Sequence, residues 1–203
     1  MTPESLSLAD LTNASLHLLR TYLLHLFAQF AYQEGDFTLS SGLGSSYYIN
    51  GKKVALTAPG ALAIGRLLLS ELPPGAIAVA GLTLGADPLV SAVSVVSAYE
   101  HQPVDALIVR KEAKGHGTQA YIEGPELPVG SLVVVLEDVV TTGRSALLAV
   151  ERLRAVGYQV KDIIALIDRQ QGGAEFYHSQ HLNFKALFTI AEVQAVAQGI
   201  TSH

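Results

Sequence analysis

No cysteine occurs among the 203 residues, which excludes disulfides, a thiolate nucleophile and any sulfur-ligated zinc site, and points to a reducing compartment. Charge is scarce in one long stretch: between Glu71 and Glu100 the one charged residue is Asp87. An aspartate at the centre of a membrane-spanning helix costs about 2.5–3.5 kcal/mol, and Pro73, Pro74, Gly75, Gly81, Gly85 and Pro88 break the stretch into pieces. Strand, loop and helix are therefore expected there, with no membrane segment. The N-terminus lacks the basic start, unbroken apolar run and small-residue cleavage site of a signal peptide, so a cytoplasmic protein is expected. Positive charge is also short. A formal net charge of −5 argues against nucleic acid as a partner, because phosphate contacts need a positive face; any anion site must be local. No repeat, low-complexity tract or linker interrupts the chain. With 49% hydrophobic residues, a single domain over 1–203 with a real core is the expectation.

What is present is an alternating pattern. Leu16, Leu19, Leu23, Leu26, Phe27 and Phe30 recur at helical spacing and predict an amphipathic helix from about residue 13 to residue 32, ended by Gly35, with His17 and His25 on its surface or boundary. "FTLSSGLGSSYYINGKKVAL" predicts short strands around a Gly/Ser turn. "APGALAIGRLLLSEL" predicts a helix with proline in its first turn. Then come "AIAVAGL" as strand, "DPLVSAVSVVSAYE" as helix, "VDALIVR" as strand, a long polar interval, "SLVVVLED" as strand, "SALLAVERLRAVG" as helix and "DIIALIDR" as strand; "NFKALFTIAEVQAVAQ" adds a strand and a short helix. Strands alternating with helices predict an α/β fold, a mostly parallel central sheet flanked by helices, in which ligands sit at the carboxyl ends of the strands.

Three strands end in chemically useful groups: Arg110, the pair Glu137 and Asp138, and the pair Asp168 and Arg169. Any one of them could simply mark where a strand reaches water. Together on one rim, beside a glycine loop, they point to a site. In "VVVLEDVVTTGRS", residues 133–145, an apolar strand runs into two carboxylates that burial would penalise without partners. The loop beyond offers Thr141, Thr142, Gly143 and Ser145 and leads into a helix N-terminus, where unpaired N–H groups and the dipole favour a phosphate. Acids next to an anion cradle fit a ligand with both hydroxyls and phosphate, such as a ribose phosphate. Neither the Walker spacing nor the dinucleotide "GxGxxG" is present.

This strand, acid pair, "TTG" loop and helix resemble the PRPP-binding motif of the type I phosphoribosyltransferases. The resemblance implies that family's fold, with a small N-terminal hood element and a mobile lid loop. It also implies that the acids hold ribose hydroxyls while the loop grips the 5′-phosphate. "RKEAKGHG" narrows the match, because it is similar to the R-K-x-x-K-x-H-G lid of orotate phosphoribosyltransferases. "FTLSSGLGSSYYI", "GLTLGADPL" and "IDRQQGG" resemble that family's orotate-side segment, pyrophosphate-side loop and late Asp-Arg motif, so the likeness spans nearly the whole chain.

By that resemblance Lys114, His116 and Asp138 are catalytic. Arg110, Lys111, Lys114, His116, Glu137, Asp138, Val139, Val140, Thr141, Thr142, Gly143, Arg144 and Ser145 bind PRPP, and Thr141 and Arg169 bind orotate. Magnesium is the implied cofactor, carried by PRPP without direct protein ligands. The implied partners are PRPP and orotate, in a homodimer whose lid reaches the neighbouring site. Two positions depart from the pattern. Ser40 stands where many members have lysine, and "TLGAD" has no lysine where some do, leaving Lys52 or Lys53 as sources of the missing charge.

Other readings predict other features. A purine or uracil phosphoribosyltransferase would share the ribose-phosphate loop but lack the lid pattern and the Arg169 motif. A PRPP-sensing regulator would need a DNA-binding segment, for which the stretch before "GDFTLSSG" is short. His178 and His181 could face one way on a helix as metal ligands, or lie on its surface. Of Tyr47 and Tyr48, adjacent in a strand, one should point away from the site.

Overall fold

Two serines set the starts of the first two described helices. The computed structural model describes residues 7–38, 44–113 and 121–201; Ser40, Lys114 and His116 lie outside the described residues. Ser7 and Asp10 form a reciprocal capping box that starts α1 (Leu8–Asn13). Ser15 accepts from Leu18 N–H at 3.2 Å and starts α2 (Leu16–Leu26). A π-helical turn, Phe27–Ala31, follows, with Tyr32 N–H donating to the carbonyl of Phe27. The continuous helix expected over residues 13–32 is therefore corrected: it starts later, and its last turn is widened. Leu19, Leu23 and Phe27 are buried at ordinary helical spacing, and within the widened turn Ala31 is buried while Phe30 is 49% exposed. Tyr32 already belongs to β1 (Tyr32–Thr38), which pairs antiparallel with β2 (Gly44–Ile49); Gly35 lies at an irregularity inside β1 and ends no helix. The hairpin forms a two-stranded hood separate from the main sheet.

A four-residue helix, α3 (Lys52–Ala55), leads to α4 (Ala58–Ser70), capped by Thr57 and carrying Pro59 in its first turn. The regular units follow: β3 (Ala78–Leu82), α5 (Asp87–Tyr99), β4 (Asp105–Val109), β5 (Ile122–Glu123), β6 (Val133–Val140), α6 (Arg144–Ala155), β7 (Asp162–Asp168), α7 (Gly173–Ser179), β8 (Asn183–Thr189) and α8 (Ile190–Thr201). The sheet order is β5-β4-β3-β6-β7-β8, with only the short β5 antiparallel. The central strands are buried on both faces. Val134, Leu136, Ile164 and Leu166 join the core formed with α2, α4, α5 and α8, whereas Val133, Val135, Ile163 and Ala165 join the core under α6 and α7. That double burial explains why these strands read as unbroken apolar runs.

The topology places the site. From β3 the chain crosses to β4 on one side, then returns to β6 on the other, so β3 and β6 flank the point where the winding reverses. The β3–β6 ladder runs only from Ala78↔Val133 to Ala80↔Val135, while β3–β4 pairing continues to Leu82↔Val109. Beyond Ala80 the two central strands part, and a crevice opens at their carboxyl ends, where open α/β sheets bind ligands.

Candidate active site

That crevice is a cavity of about 660 Å³, lined by the ends of β3 and β6, the loop into α6, Arg169 after β7, and Tyr48, Ile49 and Lys52 from the hood side. Glu137 remains within β6, paired in register with Ala165 of β7, and is only 7% exposed. Its Oε2 has no hydrogen-bond partner among the described residues. Burial first, then the charge and hydrogen bond of Asp138, push the Glu137 carboxyl well above the ordinary glutamate range, against the opposite pull of Lys111 and Lys52. Asp138 is more open. Its carboxylate accepts from Val139 N–H at 3.0 Å and from Lys52 Nζ at 3.4 Å. The loop after β3 presses on the same carboxylate: a Cβ on Gly85 would lie 2.5 Å from Asp138 Oδ1, so only glycine permits that approach. One acid is thus buried with an unused oxygen, and the other stands at the cavity wall beside a cation.

The cradle begins where β6 ends. Gly143 takes φ +83° and is the N-cap of α6 without any side-chain cap, which leaves the first-turn N–H groups of a twelve-residue helix uncovered by side chains. Such an end attracts anions. Thr141, Thr142, Arg144 and Ser145 line the cavity around it. The cradle is held from below by α7. A Cβ on Gly143 would fall 2.8 Å from the Tyr177 ring, and one on Gly173 would fall 2.4 Å from Val140 Cγ1. Tyr177 is fully buried, and its hydroxyl has no partner among the described residues. Burial, followed by the charges of Glu137 and Asp168, raises its phenol above the usual tyrosine range.

Arg169 closes the opposite wall. Its N–H donates to Val140 O at 2.9 Å, tying the end of β7 to the end of β6. The guanidinium is buried; Nε donates to Tyr47 Oη at 3.0 Å, Nη2 donates to Ser45 Oγ at 3.1 Å, and Cζ lies 4.6 Å from the Tyr47 ring centroid. Asp168 does not hold it; that carboxylate accepts from Gln170 N–H at 2.8 Å. The two tyrosines split as strand alternation requires: Tyr47 is buried beneath Arg169, and Tyr48 is 40% exposed and lines the cavity. Arg169 therefore joins the late strand to the hood.

Not every residue singled out from the sequence meets here. Lys111 and all of Glu137 to Ser145 line the cavity, but Arg110 does not. Its guanidinium pairs with Glu123 of β5 at 3.1 Å. Lys114 and His116 lie outside the described residues. His178 is in the last turn of α7, but the helix ends at Ser179 and His181 takes φ +55°, which corrects the picture of both on one helical face. Among the described residues no three His, Asp or Glu form a metal-binding group. Sequence reasoning missed Ser45 and Tyr177 and left Lys52 and Lys53 undivided. They part at once: Lys52 lines this cavity, and Lys53 lines an apolar groove with Leu26, Phe30, Val54, Thr57 and Pro59. Alternation within the Tyr47–Tyr48 strand pair was a usable signal for Ser45, two residues before Tyr47 on the same face.

No protein-family model matches the chain. Individual relatives do. The orotate phosphoribosyltransferase of Synechocystis sp. is 71% identical over 191 residues, covering 94% of this chain and 96% of that one. Among solved structures, the orotate phosphoribosyltransferase of Mycobacterium tuberculosis in complex with Fe(III) dicitrate gives a TM-score of 0.74 at 36% identity, covering 86% of this chain and 98% of that one. The same protein in complex with PRPP gives 0.70 at 33% identity, covering 87% and 99%. Identity of this level over nearly the full length of both proteins, on a matching mostly parallel sheet, carries more than any one motif: the chain belongs to the orotate phosphoribosyltransferase family.

Proposed function

We propose that this chain, acting as one phosphoribosyltransferase domain over 1–203, transfers the phosphoribosyl group of PRPP to orotate in the crevice between β3 and β6. The products are orotidine 5′-monophosphate and pyrophosphate, a step of de novo UMP synthesis. The observation that carries this reading is the meeting of an acid pair, an uncapped helix N-terminus and a buried arginine in one cavity. Glu137 and Asp138 take the ribose hydroxyls. The backbone and hydroxyls of Val139 to Ser145, with Arg144, take the 5′-phosphate. Arg169 and Thr141 take orotate, whose planar carboxylate suits a guanidinium fork.

In the reaction the C1–oxygen bond to the diphosphate breaks, its electron pair leaves with the diphosphate, and the ring nitrogen of orotate bonds to C1 while its N–H bond breaks, the proton passing to the departing diphosphate or to solvent. Positive charge develops on the ribose ring meanwhile, beside Asp138. That single proton is the only one that moves, so positioning and fixed charge carry most of the catalysis. Lys111, Lys114 and His116 neutralise the departing group. Magnesium would arrive on PRPP without a direct protein ligand and would offset charge on the diphosphate; a cavity lined by the acids Glu137 and Asp138 is compatible with a cation carried in that way.

Arg110 belongs to the same machinery through a neighbouring copy. Its turn away from its own cavity, toward Glu123, supports a homodimer in which the lid segment serves the partner's site. Cytoplasmic placement fits a cysteine-free chain. Incubation of purified protein with PRPP, magnesium and, in turn, orotate, uracil, hypoxanthine and adenine tests the reading. Orotate alone should be consumed, with release of pyrophosphate; consumption of a purine but not orotate would overturn it.

A further inference from the structure

Among the described residues, Lys52 is the one cation lining the cavity to which the phosphoribosyl-transfer reading assigns no contact. Lys111 extends from the end of β4, Arg144 opens α6 at the phosphate cradle, and Arg169 is engaged by Ser45 and Tyr47. Lys52 instead enters from the first position of α3, where Asn50 Oδ1 accepts its backbone N–H at 3.2 Å. Its ammonium stands 3.4 Å from Asp138 Oδ2, with 37% of the side chain exposed and therefore open to a ligand. The loop Thr83 to Gly85 reaches that same carboxylate from the β3 side, Gly85 so closely that no side chain fits. Lysine and loop thus meet at one acid. The loop, "TLGAD", contributes no positive charge of its own.

We infer that Lys52 is the cation that receives the diphosphate of PRPP along the Thr83–Gly85 loop, a role that rests on the phosphoribosyl-transfer reading. In the free protein the ammonium is paired with Asp138. When ribose hydroxyls occupy that carboxylate, the ammonium is left next to the C1 side of the sugar, between the acid and the loop. An anion with several charges entering a cavity that already holds Glu137 and Asp138 needs a cation at that point. Lys111 stands at the end of β4, across β3 from β6, so the diphosphate would lie between two lysines. The neighbouring Lys53 serves as an internal control, because it lines a separate groove.

The test compares wild type, Lys52→Met, Lys52→Arg and Lys53→Ala. Binding of inorganic pyrophosphate, without metal and without orotate, is measured by calorimetry, and Michaelis constants are measured for each substrate. Methionine keeps the apolar stem and removes the charge. Lys52→Met should weaken pyrophosphate binding and raise the PRPP constant by about tenfold or more, as loss of one partner of a close charge pair does, while the orotate constant stays within about twofold. Lys52→Arg should recover most of the loss, and Lys53→Ala should match wild type. Pyrophosphate affinity unchanged in a folded Lys52→Met overturns the inference, as does an equal rise in both Michaelis constants. The two readings fail separately. If wild type binds pyrophosphate through Lys52 yet consumes no orotate, the transfer reading falls and the subsite stands.

Discussion

Arg169 is held through two of its N–H groups, by Tyr47 and by Ser45, and its guanidinium still lines the cavity. A lysine there keeps the charge but loses the fork. Arg169→Lys should therefore raise the Michaelis constant for orotate by about tenfold, below the full effect of deleting a buried charge partner, and should change the PRPP constant less. The same variant drops two links to the hood, so its melting temperature should fall as well. Steady-state kinetics with each substrate varied checks the first point; equal changes in both constants would contradict it. Glu137 gives a prediction in pH. Its folded carboxyl titrates well above the ordinary value of 4.5 because burial disfavours the charge. Below about pH 4.5 folded and unfolded chains both hold the proton; as pH rises the unfolded chain releases it first, and stability falls until the folded group ionises too. Glu137→Gln has no proton to lose. Melting curves across pH should show the variant gaining on wild type from about pH 4.5 upward, and a difference independent of pH would refute the raised value.

At the scale of elements, the cradle depends on α7 as much as on β6. Gly143 and Gly172 both sit at positive φ, +83° and +90°, but only Gly143 is crowded, by the Phe176 and Tyr177 rings. Gly172→Ala should cost about 1–2 kcal/mol, the backbone term alone. Gly143→Ala should cost a further 1–3 kcal/mol or so for overpacking and should weaken PRPP use, both readable from urea unfolding and kinetics. The contrast shows what the sequence discloses. β3, β4, β6, β7, α4, α5 and α6 were legible because burial on two faces writes unbroken apolar runs and burial on one face writes helical periodicity. The cradle was legible because its acids, threonines and glycine are consecutive. α1 and α7 were not, since six and seven residues hold too few turns for a period to emerge. The widened turn before Tyr32 was hidden because one extra residue in a helix changes phase without changing composition.

For the whole molecule, the winding of the sheet brings distant residues to one crevice. Lys52 meets Asp138 across 86 positions and Arg169 meets Tyr47 across 122. Such pairings carry no local periodicity, so the division of labour between Lys52 and Lys53, and the grip of the hood on Arg169, become visible only in three dimensions. The chain is acidic overall, yet Lys52, Lys111, Arg144 and Arg169 converge on the cavity, which reconciles a negative protein with two anionic substrates. The account's central claim is that one end of β6 holds the sugar phosphate while the end of β7 holds the base. A crystal structure of the complex with orotidine 5′-monophosphate tests it most directly. The 5′-phosphate should lie at the N-terminus of α6 around Thr142 to Ser145, the ribose hydroxyls on Glu137 and Asp138, and the pyrimidine carboxylate within hydrogen-bonding distance of the Arg169 guanidinium; a carboxylate bound away from Arg169, or a phosphate outside the α6 cradle, would contradict the account.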